Sequence, residues 1–383
     1  MRNSPKWLQE FQYFRAVSIF EIILLHTIVP ASVGFAILLL VPALQRAILT
    51  FVVASTWLAV PQFIFISGFV LYNKYKRDFS VRQFYKKRLY AVLWPYVIFS
   101  VFYFIFERFF LTHNLSIEIY PIVRGLAVGT VTGNIGPLWF IALLLQFYLL
   151  YPLLVRIYNR SARRLSVALG VLTVVLFIQI VYTSILVLPP PYIEGQTNFR
   201  VLFLSNIFYF MFGIFACHHY TTIKQKIVRL SLPLLMVVVA LAAVGYTIIF
   251  YNFLFEGPPA YYVLLFHVLG PFYCMLLIVF WLKVSVIWAG PHSLFTRSME
   301  KIGQDSFGLY LTHPFFIAIF GPALIVIGLS LSNLLYYPLL FVLVLAASYV
   351  TVQVIYRLPF SQIIIGTPRR SKIRNRQHQK EIA

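Results

Sequence analysis

Ten apolar runs of about twenty residues divide this chain, more than a water-soluble fold could bury. They fall near 11–32, 50–73, 90–112, 137–157, 165–188, 201–219, 230–251, 261–285, 304–328 and 335–357. At 1.5 Å per residue, each run as a helix is about 30 Å long, the thickness of a bilayer's hydrocarbon core. Lipid offers no partner to a free backbone N–H or C=O, so such runs cross as helices. The expected fold is all-α: a polytopic membrane helical bundle of about ten transmembrane helices. One integral-membrane unit over 1–366 is followed by a basic tail over 367–383. The stretch 33–45, "VGFAILLLVPALQ", is apolar but short and contains Pro42. It either extends the first span or lies as an interfacial or re-entrant piece.

The charges set the orientation. Of the 31 Lys and Arg, Arg15 lies within the first span, and Arg46, Arg108, Arg124 and Arg200 fall in alternate loops. The remaining 26 fall on the side that holds both termini, in segments such as "NKYKRDFSVRQFYKKR", "RIYNRSARR" and "IKQKIVR". By the positive-inside rule that side is the cytoplasm, so both termini are expected inside. The net charge of +21 is therefore mostly topology and not a nucleic-acid surface. Composition agrees: 61% of residues are hydrophobic and 11% charged, against about half and a quarter in a soluble domain. Cys217 and Cys274 lie inside apolar runs and offer neither metal spacing nor a disulfide framework. No metal site is expected.

The first span, "FRAVSIFEIILLHTIVP", carries three ionisable residues, Arg15, Glu21 and His26. Such groups are costly in a bilayer and usually face a cavity or a partner. Arg15 and His26 are eleven residues apart, which returns them to nearly the same helix face about 16 Å along the axis. Glu21 lies on a different face. Arg15 reads either as a snorkelling residue at the inner interface or as a working cation. His26 reads as a packed hydrogen-bonder or as a general base, the role its titration range near neutrality suits. Glu21 reads first as a structural polar contact, for instance to a cation on another helix.

The same spacing of Arg and His in a first span occurs in a known family, and other stretches accompany it here. "QFIFISGFVLY" carries Ser67, Gly68 and Phe69; "FYKKRLYAVLWPY" carries Lys86, Lys87, Arg88 and Pro95. "PLWFIALLLQFYLLYPLL" carries Trp139, and "SFGLYLTHPFF" carries Ser306, Tyr310, His313 and Pro314. "IFYFMFGIF", with Tyr209, Phe210 and Gly213, is a weaker match. Together they resemble the membrane-bound acyltransferase-3 family of bacterial proteins. Their style is nearest the polysaccharide-intercellular-adhesin acyltransferase or export subgroup. Two positions depart from the family pattern. Ala91 stands where many members have a second arginine, and Pro137 where many have a histidine.

The resemblance implies an O-acyltransferase of the bacterial cytoplasmic membrane. It would move acetyl or succinyl from cytoplasmic acyl-CoA to a hydroxyl of an envelope glycan or glycolipid. Acyl-CoA is then a donor substrate, and no permanently bound cofactor is implied. His26 and Arg15 would be catalytic, with His26 as base or acyl relay. Arg88 and Lys87 would hold the donor's phosphates, and Trp139 would line its channel; for Lys87 ordinary interfacial charge is the simpler reading, and for Trp139 an interfacial aromatic is an equal alternative. Ser67 and His313 are further candidates, with helix packing and hydrogen bonding as their simpler readings. His267 matches no motif. The competing class is an exporter of the polysaccharide itself, although no internal repeat of the transporter kind is visible.

Overall fold

The structure is a computed structural model describing residues 6–30, 34–76, 79–108, 120, 123–125, 127–128, 138–161, 165–186, 202–255, 260–289 and 293–367. Pro137 and the tail beyond Thr367 lie outside the described residues. The chain is an all-α, multi-pass membrane protein. Its first helices are α1 (Lys6–Ile28), α2 (Ala43–Thr56) and α3 (Ala59–Tyr75), then α4 (Val81–Arg88) and α5 (Trp94–Phe106). Next come α6 (Trp139–Ser161), α7 (Leu165–Leu186), α8 (Ile207–His218), α9 (Tyr220–Arg229) and α10 (Leu232–Phe255). The last four are α11 (Ala260–Trp288), α12 (Leu294–Val326), α13 (Tyr336–Ile355) and the short α14 (Ser361–Ile365).

Nine helical segments among the described residues are long and apolar enough to cross a membrane, one fewer than the ten runs suggest. The difference lies at the expected sixth span, where α8 has only 12 residues and is about 18 Å long. A short 3₁₀ turn, Phe203–Ser205, precedes it, and the polar helix α9 follows. Despite its length, α8 runs in the same sense as α3, with Phe212 against Phe65 and His218 against Tyr72. Other pairs alternate as an even number of crossings requires. The α10 helix runs opposite to α2, since Phe255 meets Arg46 and Phe250 meets Trp57. The α11 helix opposes α1 through Trp281–Glu21 and Trp288–Tyr13. The α12 helix runs with α1, through Gly303 at the Gln12 carbonyl and His313 beside His26. Tyr356, at the end of α13, bonds Asp305, so the first helix starts and the last spanning helix ends at one end of the bundle. Lys74, Lys76, Arg88, Arg160 and Lys224 share that end, here termed the basic end.

The stretch 33–45 does not prolong the first span. Gly34–Leu40 forms a 3₁₀ turn and Pro42 caps α2, whose N-terminal half it introduces. The second span thus begins at Ala43 and continues past a break at Trp57–Leu58 into α3. In the third span one π-helical turn, Leu89–Leu93, separates α4 from α5. Pro95 causes part of this: it has no N–H for the carbonyl of Ala91, four residues earlier. Gly366 fills the adjacent space in a left-handed conformation, φ 70°, where an added Cβ would lie 2.1 Å from that carbonyl oxygen. This contact ties 361–367 to the bundle.

Helix α1 is central. It touches α2, α3, α11, α12 and α13, and 72% of its spanning window is buried. For α7 and α10 the figure is 17%, so those helices form the rim. A helix with three ionisable residues belongs at the centre, because lipid gives such groups no partner. Close backbone approach holds the centre together. A Cβ on Gly303 would sit 1.9 Å from the Gln12 carbonyl oxygen, and one on Gly68 2.2 Å from that of Phe210. Small residues permit such contacts between membrane helices.

Candidate functional site

The three ionisable residues of α1 meet three different surroundings. Each is half-buried on a helix that five others surround, so the space they reach lies between helices.

Glu21 faces α3 and α11. Its Oε1 accepts from Trp281 Nε1 at 2.9 Å and its Oε2 from Gln62 Nε2 at 3.0 Å. Ser18 donates to the Phe14 carbonyl at 3.1 Å, and its Oγ lies 3.5 Å from Gln62 Oε1. The expected cation is therefore replaced by two neutral donors. A buried carboxyl needs its oxygens satisfied, and these donors do so without a second charge.

Arg15 belongs to the basic end, within electrostatic reach of Tyr148 and Arg88. The Arg88 guanidinium lies over the rings of Tyr148 at 5.4 Å, Tyr75 at 5.6 Å and Phe84 at 5.8 Å. Its Nη2 donates to the Tyr75 hydroxyl at 3.4 Å, and its buried Nε has no hydrogen-bond partner. Among the described residues no carboxylate pairs with either arginine. Glu10, the acid nearest in sequence, is instead held by Lys224 and the Tyr220 hydroxyl. Two arginines beside phenol rings, one with an idle buried donor, have the charge and the hydrogen-bonding capacity to hold an anion. Lys87 is exposed and lies within electrostatic reach of Tyr75.

His26 lies toward the other end and faces α12. Its ring centroid is 5.4 Å from that of His313, which is fully buried. His313 Nδ1 lies 2.8 Å from the Tyr310 carbonyl and 3.2 Å from that of Leu309, while its Nε2 has no partner. Tyr310 packs edge-on against Phe140 at 5.3 Å, closing the seam between α12 and α6. Trp139, beside Phe140, stands nine residues before Tyr148, about 14 Å away along α6. It therefore sits at the level of the histidines and not with Arg88. Ser67 is half-buried, and its neighbour Gly68 serves the close packing of α3 on α8.

The structure thus groups Arg15 with Arg88 and His26 with His313, sets Glu21 apart, and has Lys87 exposed beside Tyr75. It adds Tyr75, Tyr148, Gln62 and Trp281, which the sequence reading did not select. Gln62 carried a faint signal, as an amide inside an apolar span. The two tyrosines and Trp281 carried none, since aromatic residues are common at membrane interfaces.

Residues 8–353 match a protein-family model described as an acyltransferase domain. No curated protein and no solved structure matches the chain.

Proposed function

Because this chain belongs to the acyltransferase-3 family, we propose that it moves a small acyl group, acetyl or succinyl, from cytoplasmic acyl-CoA to a hydroxyl of an envelope glycan or glycolipid. The membrane is the bacterial cytoplasmic membrane, with both termini inside. The loop charges support that orientation.

The observation that carries the donor assignment is the Arg15–Arg88 cluster, with no carboxylate to neutralise it and an unpartnered Arg88 Nε. The donor's pyrophosphate is a matching partner, and the aromatic rings around Arg88 restrict where its guanidinium can point. Along α1 the next polar station on this face is His26, about 16 Å further. An extended pantetheine arm spans a distance of that order, which brings the thioester to the histidine level. There His26 acts as base or acyl relay, and the acceptor enters from the opposite end of the bundle. Trp139 and Phe140 stand beside the acyl end of this path rather than beside the phosphates.

The test is reconstitution of the purified protein in vesicles with labelled acetyl-CoA or succinyl-CoA. Thioester consumption with label appearing on lipid-linked glycan, lost in His26→Ala and Arg88→Ala, is the expected result. Polysaccharide export that depends on the protein, with no thioester consumption, would overturn the transferase reading in favour of an exporter.

A further inference from the structure

His313 sits in the apolar middle of α12 with its imidazole fully buried. Its Nδ1 lies within hydrogen-bonding distance of two carbonyls, Tyr310 and Leu309. A carbonyl only accepts, so Nδ1 carries the ring proton and Nε2 carries the lone pair. That lone pair is buried and unpartnered. A buried acceptor left empty is costly, and in a native fold it calls for an explanation. The neighbouring ring is His26, at 5.4 Å between centroids. The Val29 backbone lies beside that ring. The His313 imidazole is thus pinned to backbone and keeps one nitrogen free. The His313 nitrogen has no partner within 3.5 Å, so the two rings are not bonded to each other.

We propose that His313 is a second catalytic histidine, whose Nε2 takes the proton of the acceptor hydroxyl while His26 carries the acyl group. This rests on the transferase reading above and divides the reaction there into two halves. In the first, a ring nitrogen of His26 attacks the thioester carbonyl carbon. The C–S bond breaks, and the thiolate leaves with the proton that the acylated ring sheds. In the second, the acceptor oxygen bonds the acyl carbon as its proton passes to His313 Nε2. The C–N bond to His26 breaks, and the proton moves from His313 to the His26 ring, which restores both residues. A relay of this kind lets donor and acceptor approach from opposite ends without meeting.

The experiment uses the full chain in detergent or vesicles, with acetyl-CoA as donor and water as probe acceptor. His313→Asn keeps an amide donor for the Tyr310 carbonyl but has no base at the Nε2 position. Wild type should release coenzyme A continuously. His313→Asn should release about one equivalent per protein and stop, retaining the mass of one acyl group, with multiple turnover reduced on the order of 10²- to 10⁴-fold. His26→Ala should release none and retain none. Two results overturn the proposal: wild-type turnover in His313→Asn, or loss of the first release in a His313→Asn protein that still binds acetyl-CoA. Acid quenching of wild type during turnover gives a test free of folding effects. Acyl label on the His26 peptide supports the relay, and its absence sinks it. Failure of wild type to consume acetyl-CoA or succinyl-CoA at all would instead count against the transferase reading beneath it.

Discussion

Trp281 donates its indole N–H to Glu21 Oε1 at 2.9 Å, across the interface between α11 and α1. With Gln62 on the other oxygen, this carboxyl links three helices without any cation. Replacing Trp281 by Phe keeps the ring volume roughly but leaves Oε1 without its donor. The expected cost is about 1–3 kcal/mol of stability. Thermal unfolding in detergent should show a lower Tm, while the folded fraction retains transfer activity. An unchanged Tm would mean that the Glu21 oxygen finds another donor.

Arg88 offers a guanidinium to the rings of Tyr75 and Tyr148 and an idle Nε to an anion. Lysine supplies the charge but neither the planar stacking nor the second donor. Arg88→Lys should therefore raise KM for acyl-CoA about as much as Arg88→Ala does, on the order of 10-fold or more, with a smaller effect on kcat. Steady-state kinetics at varied donor concentration measures this. Full rescue by lysine would reduce the site to a diffuse charge.

Gly68 and Gly170 make a matched pair of tests. A Cβ on Gly68 would meet the Phe210 carbonyl oxygen at 2.2 Å, whereas one on Gly170 meets nothing within 4 Å. Gly68→Ala should force α3 and α8 apart and destabilise by about 1–3 kcal/mol. Gly170→Ala should be neutral or stabilising by up to about 1 kcal/mol, since alanine is the better helix former. Equal effects at both sites would contradict the close α3–α8 packing.

The even number of crossings inferred from helix directions, with α8 counted as one, predicts opposite accessibility at two exposed positions. In a background without Cys217 and Cys274, Lys226→Cys, exposed in α9 just after α8, should react with a membrane-impermeant maleimide only when the inner face is open. Leu44→Cys, at the start of α2 and 76% exposed, should react from outside in intact cells. Labelling of both from one side would make α8 a non-crossing element and leave nine spans.

Much was legible in the sequence for a simple reason. Bilayer thickness sets helix length, and backbone hydrogen bonding permits only helices, so length and polarity alone reveal most spans. The 12-residue α8 escaped this logic: the 3₁₀ turn before it and α8 itself read as one continuous span of 201–219. The same periodicity placed Arg15 and His26 on one face and Glu21 on another, and the structure has them facing different helices accordingly.

Partners were not legible, because periodicity states which way a side chain points but not what stands opposite. Glu21 invited a cation and has Trp281 and Gln62. The family resemblance put Trp139 along the donor's channel, and α6 carries it about 14 Å from Tyr148, the ring that stands by Arg88. The sequence by itself determined an all-α, multi-pass membrane chain with its polar residues on the first helix. Only tertiary packing decided that His313 comes to His26 and Arg88 to Arg15. Those pairs lie 287 and 73 positions apart, and backbone contacts at Gly303 and Gly68, not any local preference, set the helices in place.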